Sequence, residues 1–456
     1  MISSGTFEEE ISSVCMDAKK LGPGLRDAIS WLPQEVLGDI LSLLPTKLAA
    51  STSVLSKKWR NVFALVDNLD LDDSVFLRPE EGKLRREEIR ESFRSFVDRT
   101  LALQRGYPIK KLSLDYCIFE DSEMASMSRW ICNVVERGVL EVDLSIWTNF
   151  QLYLPSELFT SKTLVKLTLG TEIGLGKIPG DVSLPALKSL FINTIFFTYG
   201  DLCGVLLPGC PVLEELSVRH VEEGKPFCIS SRSIKKLSVY YDFEADLSYL
   251  GGMSFDAPNL VSLDYRDYAL DEYPQVNLES LVEAKLDIHY SKSNKRPDLT
   301  GLITGMSNIE TLHLSPASAD VISRCVKHGL PLPMFNNLAS LSFGSKNQRG
   351  WKLLPCLLKQ SPKLETLIIQ DLNGYTGDAT IPLFKVKMLH VLGYGGTAQE
   401  LQHLKSFLVG SECLELVRVE IPECVEVDNG KLLQTLGDLM AVVGAAASKC
   451  KAEVAD

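Results

Sequence analysis

The chain has 456 residues, 45% of them hydrophobic, and a formal net charge of −12. That length exceeds one typical core of ~100–200 residues, so two or three domains or one extended repeat array are expected. The acidic balance speaks against bulk nucleic-acid or anionic-membrane binding, because both need a basic field to neutralise phosphate.

Eleven cysteines run from Cys15 to Cys450 without a Cys-x-x-Cys. This fits neither a disulfide framework nor a zinc ribbon, and predicts buried thiols in a reducing compartment, cytoplasm or nucleus. Residues 1–26 include three consecutive glutamates and no apolar core of signal-peptide length, and read as a disordered stretch. The longest late apolar run, "LMAVVGAAA" at 439–447, falls short of the about 20 residues that cross a bilayer. No membrane partner is expected.

Residues 27–70 read as a small helical unit. Pro33 suits the first position of a helix, where its missing N–H costs nothing. Leu37, Ile40, Leu41 and Leu44 follow on one stripe, and Pro45 ends that helix. Thr46 or Lys47 starts a second short helix. Ser56 is placed to cap a third, carrying Trp59, Phe63 and Val66 at i, i+4, i+7. Three helices in about 40 residues form a unit below the size at which a core supports itself comfortably, so a partner surface is expected.

"LPQEVLGDILSLLPTKLAASTSVLSKKWR" resembles the F-box, the helical motif that docks on the Skp-type adaptor of cullin–RING ubiquitin ligases. The matching positions are Leu32 and Pro33, then Ile40, Leu41, Leu44 and Pro45, then Val54, Leu55, Ser56, Trp59 and Arg60. The resemblance implies apolar adaptor contact through Leu32, Pro33, Leu37, Ile40, Leu41, Leu44, Pro45, Val54, Leu55 and Trp59. Through the adaptor it implies a cullin and a RING subunit. Trp59 remains open between facing the adaptor and bracing the unit against the first repeat.

Residues 71–108 read as a helical linker packing on the first repeat. In "GKLRREEIRESFRSFVDRTLALQ", Ile89, Phe93, Phe96, Val97 and Leu101 share a face, and its arginines interleave with acids as on a solvated helix. From 109 a Leu-x-x-Leu-x-Leu pattern recurs, as in "IKKLSL" (109–114), "LVKLTL" (164–169), "LEELSV" (213–218) and "LETLII" (364–369). First positions fall at 109, 139, 164, 187, 213, 234, 260, 281, 309, 338, 364, 388 and 414. Leucine-rich repeats have this spacing of about 20–29 residues. Several copies carry an apolar residue seven positions earlier (Leu206, Leu302, Leu357, Phe407), so each unit reads helix, break, strand. The fold expected is α/β, a three-helix unit followed by a horseshoe solenoid over 109–350.

Residues 351–421 resemble the FBD segment that follows the repeats in plant F-box/LRR proteins, and read as closing repeats. "GGTAQEL" contains a capping box, with Thr397 as cap and Glu400 reaching back. Residues 422–456 read as a partly helical tail.

No catalytic constellation emerges. "GYGGT" at 393–397 lacks the Gly-Lys-Ser/Thr of a phosphate loop, so turn and cap explain it better. The six histidines show no metal spacing, no Gly-x-Ser-x-Gly is present, and no cofactor is expected. What remains is recognition. The third and fifth motif positions, and the one after the sixth, point to one strand face, putting Glu215, Arg219, Lys236, Tyr240, Asp264, Arg266, Glu283, Lys285 and His313 there. Some related horseshoes bind a hormone with an inositol phosphate over a dense basic floor, which these positions lack. The resemblance implies a non-catalytic substrate receptor that presents a protein for ubiquitination. A scaffold or inhibitor that binds the adaptor without delivering substrates is the alternative.

Overall fold

The computed structural model describes residues 32–75, 86–104, 106–171, 178–197, 202–221, 227–241, 252–291, 296–370, 372, 375, 385–409, 413–421, 437, 441 and 451–455. The expected disordered stretch 1–26 and residues 27–31 of the helical unit lie outside them. The chain divides into two compact units, Met1–Tyr116 with Glu136–Val139, and Cys117–Val135 with Leu140–Asp456.

In the first unit, helices α1 (Gln34–Leu41), α2 (Thr46–Thr52) and α3 (Lys57–Phe63) lead into strand β1 (Asn68–Asp72). Helix α4 (Arg86–Leu103) and strand β2 (Lys111–Ile118) follow. Pro33 and Pro45 stand at the caps of α1 and α2, where neither loses a helical N–H. Helix α1 stops at Leu41 rather than running to Pro45, because Ser42–Leu44 make the turn. Ser56 caps α3 by accepting from the Trp59 N–H at 3.3 Å. The core of the three helices is Leu37, Leu41, Ala49, Val62, Phe63 and Val66. In α4, Ile89, Phe93, Val97 and Leu101 are buried and Phe96 only half so.

Strand β1 runs across the expected boundary at 70. It pairs in parallel with β2, Leu69 opposite Leu112 and Leu71 opposite Leu114. Val66, Leu69 and Leu71 are buried at motif spacing, so the repeat pattern begins at Val66 rather than Ile109. Val66 belongs to the three-helix core and also holds the first repeat position. Two further ties fix this junction. Gln104, fully buried just past the end of α4, donates to the Val66 carbonyl at 2.9 Å. Arg137 donates to the Leu101 and Gln104 carbonyls at the end of α4, where a cation is favoured.

The second unit opens with α5 (Asp121–Glu136), then β3 (Glu141–Thr148), β4 (Lys166–Thr171), β5 (Ser189–Phe197) and β6 (Glu215–Val221). Next come β7 (Phe227–Ser230), β8 (Lys236–Tyr240), β9 (Met253–Asp256), β10 (Ser262–Tyr268), β11 (Val276–Asn277) and β12 (Glu283–His289). The chain continues through α6 (Thr300–Gly305), β13 (Thr311–Leu314), α7 (Pro316–Lys327), β14 (Ser340–Gly344), α8 (Gln348–Trp351) and α9 (Leu354–Gln360). It ends with β15 (Thr366–Gln370), β16 (Met388–Val391), α10 (Ala398–Val409), β17 (Leu416–Glu420) and β18 (Lys451–Ala455).

The motif strands of this unit pair in parallel in chain order, each starting at the third motif position. The fourth-position row Leu167, Leu190, Leu216, Leu237 and Leu263 is in register and buried throughout. Burying one such leucine contributes roughly 1.5–3 kcal/mol, so the ladder is stabilised copy by copy. The copy placed at Met388 begins at Val386 instead: Met388 lies opposite Thr366, a third position, and Val386, Leu389 and Val391 are buried.

Leu206, Leu302, Leu357 and Phe407 are buried in the helical turns preceding their strands. The helix–break–strand reading fails between β6 and β12. There the copies start at 213, 234, 260 and 281, and the outer segments are strands β7, β9 and β11, which form a second sheet. In these repeats the chain returns extended rather than helical.

Two features mark the interior. In β10, Tyr265 donates to buried Asp267 at 2.9 Å and meets the Tyr273 hydroxyl at 3.1 Å. In the terminal repeats Trp351 is fully buried, donates to the Ser345 carbonyl at 3.0 Å, and packs edge-on against Phe343 and Tyr375. The capping box of α10 is formed: Thr397 accepts from the Glu400 N–H at 3.1 Å, and Glu400 accepts from the Thr397 N–H at 2.9 Å. Gly393 and Gly396 carry φ of 69° and 74°, left-handed turns that favour glycine. In the tail, residues 437 and 441 are helical, and Lys451–Ala455 adds β18, with Ala452 opposite Val417 and Val454 opposite Val419.

Candidate functional site

The first unit exposes a run of large apolar side chains. Val36, Ile40, Leu43, Leu44, Leu48, Val54 and Leu55 are exposed, Leu43 to 82% and Val54 to 71%. These side chains lie on one flank of α1, on its closing turn, on α2 and on the turn before α3. Folding does not account for them, since the core is complete without them. Exposed apolar groups gathered in one short stretch are the kind of surface on which proteins dock.

The ten sequence candidates divide by burial. Pro33, Ile40, Leu44, Pro45, Val54 and Leu55 are exposed. Leu32 and Trp59 are half-buried and pack against the core. Leu37 and Leu41 are internal, at 0% and 2% exposure, and a partner cannot reach them without unfolding the unit. Val36, Leu43 and Leu48 were not singled out. Their signal was present: Val36, Ile40 and Leu43 form a second apolar stripe beside Leu37 and Leu41, whereas an internal core needs only one.

The second surface is the outward strand face of the second unit. The third, fifth and seventh positions stack in register: Glu215 with Lys236, Ser217 with Ser238, Arg219 with Tyr240. Asp264 lies opposite Lys285, and Lys285 opposite His313. All nine sequence-selected residues therefore fall on this face, and they engage one another. The Arg219 guanidinium sits 4.6 Å over the Tyr240 ring, whose hydroxyl donates to Asp264 at 2.7 Å. Arg266 pairs with Asp287 at 3.3 Å, and Glu283 lies 3.6 Å from Lys285 and 3.7 Å from His313.

Charge and burial set the protonation of the face. Burial first, then the Asp264 hydrogen bond, raises the Tyr240 pKa. Burial lowers that of His313, against the pull of Glu283. The Lys236 hydrogen bond lowers that of Glu215. Solvent-exposed pairs of this kind contribute about 0–1 kcal/mol each to stability, so the face is free to serve recognition. Among the described residues no group of three or more His, Cys, Asp and Glu is arranged to hold a metal, and no helix is long and apolar enough to cross a membrane.

Comparison with known proteins finds matches for both parts of the chain. Residues 29–70 match the F-box domain, and residues 127–369 match the LRR repeats of FBD-associated F-box protein At5g56370. F-box/LRR-repeat protein At3g60040 of Arabidopsis thaliana is 56% identical over 440 residues, covering 94% of this chain and 97% of that protein. F-box/LRR-repeat protein At1g06630 of the same plant is 55% identical over 409 residues, covering 89% of this chain and 100% of that protein. Putative F-box/LRR-repeat protein At3g44810, also of Arabidopsis thaliana, is 41% identical over 438 residues, covering 92% and 96%. A three-helix unit with an unpartnered apolar flank, a parallel ladder of leucine-rich strands and relatives of this similarity across nearly the whole chain lead to one conclusion: the protein belongs to the F-box/LRR-repeat family.

Proposed function

We propose that the chain is the substrate-recognition subunit of an SCF-type ubiquitin ligase. F-box domains generally bind Skp-type adaptors in such complexes, and proteins of this family are generally non-catalytic adaptors. The observation carrying the proposal is the exposed flank of the helical unit: Val36, Ile40, Leu43, Leu44, Leu48, Val54 and Leu55 face solvent beside a finished core. An apolar adaptor surface closing over that flank would remove it from water.

The strand face around Arg219, Tyr240, Asp264, Arg266, Lys285 and His313 then holds a protein substrate. Its alternating signs suit a polar, shape-dependent partner. The chemistry delivered is proximity: a substrate lysine held near a charged conjugating enzyme reacts at a raised effective concentration. We place the protein in the cytoplasm or nucleus. Eleven scattered cysteines with no Cys-x-x-Cys support a reducing compartment.

Co-expression with a Skp-type adaptor tests the docking half. Wild type retains the adaptor through purification, and Leu43→Asp with Val54→Asp reduces retention at least about tenfold at an unchanged melting temperature. A wild type that fails to bind, or a double variant that binds equally, rejects it. Proximity labelling with and without cullin inhibition tests delivery. Partners that accumulate under inhibition support a receptor, and partners of unchanged abundance favour a scaffold.

A further inference from the structure

A second charged surface lies away from the strand face, on the helices of the second unit. Helix α7 and the α8 turn of the next repeat border a groove of about 880 Å³. Arg324 and Lys327 from α7 and Arg349 and Lys352 from the next repeat line it, all exposed, with His328 at the end of α7. Among the described residues, no carboxylate forms an ion pair with these four cations. Among the described residues the lining holds one acid, Asp320, and it is committed elsewhere: it accepts from Ser345 Oγ at 2.5 Å and from the Asn347 amide.

The cations are held in place. The Arg324 guanidinium stacks 4.4 Å over the Tyr290 ring, which orients a planar fork with five donors. The Arg349 backbone is fixed from both sides, its carbonyl by Ser323 Oγ at 2.6 Å and its N–H by Asn347 Oδ1 at 2.9 Å. Gly350 lets the two repeats close, since a Cβ there would meet Asp320 Oδ1 at 2.0 Å. The dipole of α7 explains cations at its own C-terminal end, but not Arg349 and Lys352, which come from another element. In a chain of net charge −12, four unpaired cations converging on one concave wall need a reason.

We infer that this groove binds an acidic peptide segment of a partner protein, at a site separate from the strand face. Two arginines fork onto carboxylates and two lysines supply point charges, so closely spaced Asp and Glu side chains satisfy all four. The concave wall suits an extended chain better than a bilayer, and the acidic remainder of the protein repels a long polyanion such as nucleic acid. The inference does not depend on adaptor docking or on ubiquitin delivery.

Fluorescence anisotropy on the full chain tests it, using a labelled ten-residue peptide of alternating Glu and Gly, its Gln/Gly counterpart, and a single-stranded ten-nucleotide DNA. The Glu peptide binds, and Arg324→Glu with Arg349→Glu weakens it at least about tenfold, while Lys188→Glu with Lys359→Glu, an equal charge change off the groove, weakens it less than about twofold. Arg324→Gln with Arg349→Gln provides a milder pair, expected to show the same ranking. Equal weakening by the groove and control pairs, equal binding of the Gln peptide, or tighter binding of the DNA overturns the inference.

Discussion

The side-chain hydroxyl of Thr46, fully buried at the start of α2, accepts a hydrogen bond from the backbone N–H of Asp70 in β1 at 2.7 Å. An edge strand presents unpaired donors, and here a helix of the F-box covers one of them. Thr46→Val keeps the shape and leaves the Asp70 N–H without its partner, which costs about 1–3 kcal/mol. Thr46→Ser retains the acceptor and loses less. Denaturant unfolding of the two variants beside wild type reads the difference.

Burial separates two kinds of leucine in α1 and its closing turn. Leu37→Ala empties a core position and lowers stability by about 2–5 kcal/mol. Leu43→Asp touches no core residue and changes stability by less than about 0.5 kcal/mol, yet it weakens adaptor retention. Melting curves set against adaptor pull-down distinguish the two. A Leu43→Asp protein that melts like wild type and still holds the adaptor contradicts the assignment of that flank.

Asp267 gives the fold a pH dependence. Burial pushes its carboxyl up to about 7 from an ordinary 3.8. The folded state therefore holds this proton more tightly than the unfolded chain. The associated stability is fully present below about pH 4 and is lost as pH rises through about 7. Asp267→Asn keeps an acceptor for the Tyr268 N–H and stays neutral at every pH. Unfolding free energies at pH 5 and pH 8 should fall less for the variant than for wild type, by about 2–4 kcal/mol across that window.

The capping box of α10 is a local stabiliser with a simple test. Glu400 accepts from the Gly395 and Thr397 N–H groups and from the Thr397 hydroxyl. Thr397→Ala costs about 0.5–2 kcal/mol, and Glu400→Ala at least as much because its carboxylate is buried. Differential scanning calorimetry shows both as lowered transitions.

The strands were legible because the first, fourth and sixth motif positions all face the core, and that constraint repeats at every turn. Val66–Leu71 escaped notice only because the helical unit claimed Val66 first. Met388 misled because a methionine stands at an outward position, where a weak motif copy is easily started two residues late. The outer segments were less legible, since the position seven residues before the motif lies in a helix at Leu302 and in a strand at Phe227. On the docking unit, sequence could name apolar residues but not divide them. Leu37 and Leu43 are the same residue type, and only the packing of three helices sends one inward and the other out. The pairing of Arg219, Tyr240 and Asp264 follows from register across three strands, which no single repeat encodes.

Val66 also sets how this architecture can be cut. A residue that completes one core while opening the next leaves no hinge, so a fragment ending at 70 loses the β2 partner of its last strand. Domain exchange between relatives must therefore carry the chain through Ile118. A chimera joined there inherits an F-box already seated on its first repeat, while one joined at 70 has to build that seat from a foreign sequence. A library of paired junctions, scored by soluble yield, would show the viable crossover some fifty residues beyond the familiar motif.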